Sequence, residues 1–203
     1  IQTLFVYPGN RENKRYYIPE GVTETKKWSF YNSKQIEEVI IPSTIETIGD
    51  YTFKGCRNIY NIYYIKSSGL TKEGSEIFGD IQSFTLRGNK EIGTSITTIN
   101  GKEIRKELTV GKSGEKTRYM YSEEYQTLTI YEEGEMGNYS EEQSPWYSLN
   151  TGIEKVLIEY GITKISESAF YELTKLQTIE VNETNKNYSS ENGNLFDKEK
   201  KIL

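Results

Sequence analysis

Apolar residues fall at uneven but recurring intervals along this chain. The stretch VIIPSTIETIGDYTFKGCRNIYNI, residues 39–62, fits neither a helical stripe nor a clean strand alternation. Counted from Ile36 and again from Ile153, apolar or thiol side chains stand at offsets 3, 5, 9, 12, 17, 20 and 23. The two sets are Val39, Ile41, Ile45, Ile48, Phe53, Cys56 and Ile59, and Val156, Ile158, Ile162, Ile165, Phe170, Leu173 and Leu176. The matching offsets predict a repeated structural unit.

The repeat has a period near 23 residues, because Ile18-Pro19 recurs 23 positions later as Ile41-Pro42. About five units can be followed along the chain. Offsets 3 and 5 share one face of a short strand, and the proline ends that strand. The rest of the unit returns through turns or a short helical segment, and stacked units bury a common core. We therefore predict a solenoid of short parallel strands, with Phe53 and Phe170 at equivalent buried positions.

The array is interrupted once, which predicts three parts. Residues 1–87 form the first repeat block, residues 88–152 a connector, and residues 153–203 the second repeat block. In the connector the segments ELTV, TRYMY and TLTIY alternate as strands, with SEEY as a hairpin turn between the last two. Both ends of the chain fall within the repeat pattern, so we expect the array to continue in the parent protein.

The amino-acid composition argues against several classes of function for this chain. The chain has no histidine, which excludes Ser-His-Asp, Cys-His and histidine-metal mechanisms within it. Its one cysteine, Cys56, occupies a small repeat position and forms no internal disulfide. The net charge of −5 argues against a nucleic-acid partner. No segment approaches the roughly 20 apolar residues of a membrane span.

Carboxylates are the remaining catalytic candidates, and their arrangement is unfavourable. The pairs Glu37-Glu38, Glu132-Glu133 and Glu141-Glu142 are adjacent in sequence, so on a strand they would face opposite ways. A solvated surface explains them better. We therefore predict no catalytic residues, no metal ligands and no cofactor.

A candidate partner-binding surface lies at offset 4, between the inward positions of each strand. Successive units place Tyr17, Ile40, Tyr63 and Thr85 there, and offset 1 adds Tyr60. Stacking would align Tyr17, Ile40 and Tyr63 as an exposed apolar stripe. Tyrosine combines a large contact area with a hydrogen-bonding tip, which suits protein interfaces. The alternative is that these positions simply favour residues that form β-strands.

Several segments resemble the BspA-like leucine-rich repeat family of cell-surface proteins. They are IPSTIETIGDYTFKGCRNI, IEKVLIEYGITKISESAFYELTKLQTIEV, NYSSENGNLFDKEKKIL and YQTLTIYEEGEMGNYSEEQSPWYS. The resemblance implies a leucine-rich-repeat solenoid and a surface-exposed or secreted protein. It also implies adhesion to host matrix proteins or to other cells.

The predicted function is therefore non-enzymatic binding to a protein ligand, such as a host matrix or cell-surface protein. Two alternatives stay open. The chain is a structural spacer that displays other domains, or it is a carbohydrate-binding accessory module with glycans as partners. The carbohydrate alternative requires an aromatic platform near Trp28 or Trp146.

Overall fold

The computed structural model describes residues 2–8 and 14–199 of the 203-residue chain. The chain divides into two compact units, residues 1–107 and 108–203. Both are built from short strands, and the helical residues described are a single 3-10 turn, Tyr147–Leu149. The three-part division at residues 87 and 152 stays a prediction, since its connector is shared between the two units.

The first unit consists of stacked coils of short strands. Its strands are β1 (Gln2–Leu4), β2 (Arg15–Tyr17), β3 (Val22–Thr25), β4 (Glu38–Ile41), β5 (Thr47–Ile48), β6 (Asn61–Tyr64), β7 (Lys72–Glu73), β8 (Thr85–Asn89), β9 (Thr98–Ile99) and the start of β10 (Lys102–Lys112).

These strands form two parallel sheets, each with one strand from every coil. The first sheet has the order β2-β4-β6-β8 and the second β1-β3-β5-β7. In the first sheet Tyr16 pairs with Val39, Val39 with Ile62, and Ile62 with Leu86. The predicted parallel stacking with a period near 23 is therefore confirmed. The strand β10 continues the first sheet beside β8, and β9 pairs antiparallel with β10.

The core of the first unit is built from repeat-equivalent side chains. Ile45, Ile48 and Phe53 are fully buried, as their offsets predict. The phenylalanine rings form a ladder, with ring centroids 5.0 Å apart between Phe30 and Phe53 and 6.3 Å apart between Phe53 and Phe78. Stacking one coil on the next is what removes these rings from water, because a single coil has no second layer to cover them.

The returns between strands are turns held by hydrogen bonds from coil to coil. The Trp28 N–H donates to the Asp50 carbonyl at 3.0 Å, and the Tyr51 N–H donates to the Ser75 carbonyl at 2.9 Å. Trp28 and Tyr51 both have positive φ, 61° and 54°. The cross-coil bonds hold these bulky residues in a conformation that they rarely adopt.

The second unit combines an antiparallel meander with parallel coils. Its elements are the end of β10, then β11 (Arg118–Ser122), β12 (Thr127–Tyr131), β13 (Gly134–Glu135), the 3-10 turn, β14 (Lys155–Ile158), β15 (Ile162–Lys164), β16 (Thr178–Val181), β17 (Tyr188–Glu191) and β18 (Asn194–Asp197). The segments ELTV, TRYMY and TLTIY lie in strands, as predicted, and the predicted hairpin joins the last two. The strands β10 and β11 also pair antiparallel. The strands β12, β14 and β16 then pair in parallel.

The core of the second unit forms around Trp146. This indole is fully buried, and its N–H donates to the Ala169 carbonyl at 2.7 Å. Phe170 stacks on it with ring centroids 6.5 Å apart. Phe170 is predicted to be buried but is only half-buried: it packs against this core, and its ring lines an open groove of about 600 Å³ with Leu176 and Phe196.

Candidate partner-binding face

The outer side of the sheet β2-β4-β6-β8 carries two rows of aligned side chains. Because side chains alternate along a strand, the residues between core positions point away from the core. Parallel pairing then sets equivalent residues of successive coils side by side. The first row is Arg15, Glu38, Asn61 and Thr85, and the second is Tyr17, Ile40, Tyr63 and Arg87. We call these two rows the strand face.

The predicted alignment of Tyr17, Ile40 and Tyr63 is confirmed, but their predicted exposure is wrong. Their accessible fractions are 5%, 1% and 4%. Neighbouring strands lie about 4.8 Å apart, so large side chains within a row cover one another. Polar groups of the first row also bond directly to the second. The strand face is a packed layer and not an exposed apolar stripe.

The fourth member of the second row is Arg87 and not the predicted Thr85. Tyr63 pairs with Arg87 because the third coil differs in length from its neighbours. Seven positions separate Ile41 from Ile48, whereas nine separate the equivalent Tyr64 and Glu73. The net lengthening is one residue, since 24 positions separate Tyr63 from Arg87 and 23 separate Ile40 from Tyr63. The predicted partner, Thr85, lies only 22 positions after Tyr63, so Thr85 and Arg87 differ by two positions and occupy the same face of the sheet.

Glu38 is the centre of a hydrogen-bond network on the strand face. Arg15 Nε donates to Glu38 Oε2 at 2.6 Å, and Asn61 Nδ2 donates to Glu38 Oε1 at 3.1 Å. The Tyr63 hydroxyl donates to the same oxygen at 2.6 Å. Burial, and then the negative charge of Glu38, raise the pKa of Tyr63, so this hydroxyl stays protonated and remains a donor. Glu38 is therefore not the solvated surface residue that its sequence position predicted.

The network continues through a buried ion pair. Arg87 Nε donates to Asn61 Oδ1 at 3.0 Å, and the Arg87 guanidinium contacts Glu107 at 3.0 Å. The Arg87 side chain is only 2% accessible and that of Glu107 11%. Sequence reasoning missed this pair, although a polar residue at an otherwise apolar row position is a signal for it. The rows are therefore held by directional bonds from β2 to β10.

Tyr60 is the member of the predicted site that remains accessible. It precedes β6, and 48% of its surface is exposed. Its N–H donates to the Glu37 carbonyl at 2.9 Å, and Glu37 forms an exposed ion pair with Lys14 at 2.9 Å. Tyr60 thus lies at the border of the strand face, beside a pair of charged side chains.

The second unit has a comparable but less buried outer face. Lys155 and Glu180, on neighbouring strands, form an ion pair at 2.7 Å. The buried Glu159 accepts a hydrogen bond from Asn182 Nδ2 at 3.0 Å. Cross-strand polar bonds are therefore found on the strands of both units.

Cys56 is a core residue with no sign of reactivity. Its side chain is fully buried, and the thiol donates to the Phe30 carbonyl at 2.9 Å. Burial raises the pKa of the Cys56 thiol to about 12. Within residues 2–8 and 14–199, no group of three or more histidine, cysteine, aspartate or glutamate side chains is placed to hold a metal ion.

We expect native Cys56 to resist iodoacetamide at pH 8, because the thiolate is the reactive form and a pKa near 12 keeps it scarce. Mass spectrometry before and after denaturation in urea measures the labelling. Complete labelling in urea with little labelling of the native chain is the expected result. Equally fast labelling in both states would contradict the burial of this side chain.

The two tryptophans considered for an aromatic platform have different environments. Trp146 lies in the core of the second unit and presents no surface, whereas 51% of Trp28 is exposed. Trp28 is surrounded by Lys27, Tyr31, Tyr51 and Lys54, which line a groove of about 500 Å³ on the return side of the first unit.

Comparison with known proteins identifies the family of this repeat. The model of the BspA type leucine rich repeat region matches in six copies, over residues 8–104 and 143–200. No curated protein matches the chain. Among the described residues, no helix has the length and hydropathy needed to cross a membrane.

Two solved bacterial structures are similar to the chain. A leucine-rich repeat protein from Eubacterium ventriosum ATCC 27560 has 16% identity and a TM-score of 0.24, over 91% of this chain and 36% of that one. A leucine rich cell surface protein from Faecalibacterium prausnitzii A2-165 has 20% identity and a TM-score of 0.35, over 93% of this chain and 52% of that one. The chain thus spans about a third to a half of the length of these proteins.

The fold and the family agree. The stacked coils form a leucine-rich-repeat solenoid with a period near 23 residues, as the spacing of Val39 and Ile62 shows. The family model covers well over half of the 203 residues. The chain therefore belongs to the BspA-type leucine-rich repeat family.

Proposed function

We propose that this chain is a non-enzymatic binding module of a cell-surface or secreted repeat protein, and that its partner is a protein such as a host matrix component. The observation that carries the proposal is the strand face of the first unit. Its two rows combine tyrosine, arginine and glutamate side chains in one fixed register. Tyrosine and arginine are the residue types that contribute most to the energy of protein interfaces. At this face the accessible ones are Tyr60, which is 48% exposed, and Arg15, whose side chain is 25% accessible, and the buried rows hold them in place.

The hydrogen-bond network prepares this face for binding. Glu38 holds the partly accessible side chain of Arg15 before any partner arrives, and the buried Tyr63 and Arg87 fix Glu38 and Asn61 from behind. Side chains that are already ordered lose little conformational entropy on association. The large side chains of the second row support this surface, and Tyr60 is the accessible contact at its border.

The absence of catalytic function is part of the proposal. The sequence contains no histidine for acid-base or nucleophilic chemistry. The buried Glu38 is paired with Arg15, and Glu107 is paired with Arg87, so both carboxylates stabilise the sheet. Leucine-rich repeat families are typically non-catalytic, which fits this arrangement.

The decisive residue in this proposal is Tyr60. We expect Tyr60→Ala to weaken binding to a matrix protein by about 1–3 kcal/mol, or roughly 5- to 150-fold in Kd. The fold should remain unchanged, because 48% of the Tyr60 surface is exposed. Surface plasmon resonance against a panel of purified extracellular matrix proteins measures the effect, with serum albumin as the reference surface.

Tyr125 supplies the matched control. It is 47% exposed but belongs to the second unit, in the turn between β11 and β12. Tyr125→Ala should retain the affinity of the unmodified chain. Equal losses for the two variants would place the contact away from the strand face. If the unmodified chain binds no member of the panel, the proposal fails and a spacer role is favoured.

A further inference from the structure

The return side of the first unit carries an aromatic groove that the strand face does not involve. It is lined by Lys27, Trp28, Tyr31, Tyr51 and Lys54 and has a volume of about 500 Å³. The ring of Trp28 lies 6.2 Å from that of Tyr31 and 6.2 Å from that of Tyr51, centroid to centroid. Trp28 and Tyr31 are 51% and 53% exposed. Such exposed aromatic side chains in a concave site indicate a ligand-binding surface.

Two ammonium groups make this groove locally positive on an acidic chain. The Lys27 ammonium lies 4.7 Å from the centroid of the Trp28 ring and 5.5 Å from that of Tyr51. The Lys54 ammonium lies 4.9 Å from the Tyr51 ring. Among the described residues no carboxylate pairs with Lys27, and the nearest to Lys54 is Glu76, at 3.9 Å. The groove therefore favours a ligand with negative charge.

The polar groups still available in the groove are side-chain groups. The Tyr31 and Tyr51 hydroxyls have no hydrogen-bond partner in the described part of the chain. By contrast, the backbone N–H groups of four of the five lining residues are already used. The N–H of Trp28 donates to Asp50, that of Tyr31 to Trp28, that of Tyr51 to Ser75 and that of Lys54 to Tyr51. A peptide could not add here as a further strand, because these donors are not free to pair with it.

The backbone fixes the rings of the groove before a ligand binds. Trp28 and Tyr51 have φ values of 61° and 54°, a region that is unusual for bulky residues. Cross-coil hydrogen bonds of 3.0 and 2.9 Å maintain both conformations. Positive φ recurs at Glu76 and Asn100, so this turn belongs to the repeat, and in the first two coils it carries the aromatic side chains of the groove.

We propose that this groove binds an acidic saccharide. The face of a sugar ring would lie against the Trp28 indole, and its hydroxyl groups would bond to the Tyr31 and Tyr51 hydroxyls. A carboxylate on the sugar would pair with the Lys27 and Lys54 ammonium groups. This combination of flat apolar rings, neutral hydroxyls and two cations matches a uronic acid better than it matches a neutral sugar or an extended peptide.

Isothermal titration calorimetry with the full chain tests the proposal, with a hyaluronan tetrasaccharide as the acidic probe and chitotetraose as the neutral one. We expect the hyaluronan fragment to bind at least about tenfold more tightly, the factor of one charge-assisted hydrogen bond. Binding should weaken as salt is raised. It should also change the tryptophan emission, since Trp28 is exposed and Trp146 is fully buried.

Variants locate the site. Trp28→Asn removes the ring while asparagine tolerates positive φ, so the fold should be retained and affinity should fall by about tenfold or more. The double variant Lys27→Gln, Lys54→Gln should reduce hyaluronan binding to the level of chitotetraose. Tyr125→Ala, at an exposed tyrosine of the second unit, is the matched control and should bind the hyaluronan fragment as the unmodified chain does.

Three results would overturn the proposal. They are no binding of the hyaluronan fragment, equal affinity for chitotetraose, and unchanged affinity in a folded Trp28→Asn variant. A hexaglutamate peptide is the last probe, and binding as tight as that of the hyaluronan fragment would assign the groove to an acidic peptide instead. Failure here leaves the proposal for the strand face intact, because the two sites share no residues.

Discussion

Replacing Phe53 with alanine is expected to lower the free energy of unfolding by about 3–5 kcal/mol. The Phe53 ring is 0% exposed and lies between Phe30 and Phe78 in the ladder of stacked rings. Removing it leaves a cavity with coils on both sides. The coils are tied to each other by backbone hydrogen bonds, such as that from the Phe53 N–H to the Ile77 carbonyl at 2.8 Å, so they close the cavity only in part.

Urea unfolding followed by far-UV circular dichroism measures this effect. Phe170→Ala is the matched control, because Phe170 occupies the same repeat offset but is half-buried beside an open groove. The decrease in the free energy of unfolding should be smaller for Phe170→Ala than for Phe53→Ala, since less apolar surface becomes exposed to water. Equal losses at the two positions would mean that Phe170 is as fully enclosed as Phe53. If the two units unfold in separate transitions, the free energy of unfolding is determined for each transition and compared for the unit that carries the substitution.

Breaking the Arg87–Glu107 pair should have a comparable effect. We expect Glu107→Gln to cost about 3–5 kcal/mol, because it removes the charge that pairs with the buried Arg87 guanidinium. The Arg87 side chain is only 2% accessible, so water does not replace the lost carboxylate. The double variant Arg87→Met, Glu107→Leu removes both charges and should cost less than Glu107→Gln alone, although Asn61 then loses its bond from Arg87.

A double-mutant cycle based on urea unfolding tests this expectation. The ion pair between Arg57 and Asp80 serves as the reference, since its side chains are 76% and 40% accessible. Arg57→Gln should change the free energy of unfolding by less than about 1 kcal/mol, as is usual for exposed pairs. A double variant less stable than Glu107→Gln would contradict the view that desolvation dominates at Arg87.

The core of the first unit could be predicted from the sequence because a repeat imposes its own register. Ile45, Ile48 and Phe53 recur at the offsets of Ile162, Ile165 and Phe170, and such matches need no knowledge of the three-dimensional contacts. The face to which Tyr63 belongs was predictable for the same reason, since alternation along a strand is a local property. Ile45, Ile48 and Phe53 are all buried in the structure.

The accessibility of the strand face could not be predicted in this way. The accessibility of each side chain depends on the side chains next to it in the neighbouring coils, and a change of coil length changes those neighbours. The third coil is one residue longer than the second, and Arg87 lies beside Tyr63 where Thr85 was expected. Glu38 looked solvated in the sequence because its partners, Arg15 and Asn61, are each 23 positions away. The groove around Trp28 depends on the positive φ of this residue, which cannot be predicted from an aromatic residue in the sequence.

The stacking of the coils also sets how much length each additional coil adds to the solenoid. Val39 and Ile62 are neighbours across the sheet, so about 23 residues advance the first unit by one strand spacing, ~4.8 Å. This is an axial rise of about 0.2 Å per residue, against about 1.5 Å in an α-helix. An inserted coil lengthens every surface row by one side chain and leaves the cross-section unchanged. The number of coils therefore sets the length of the surface available to a partner, which changes in steps of one whole coil.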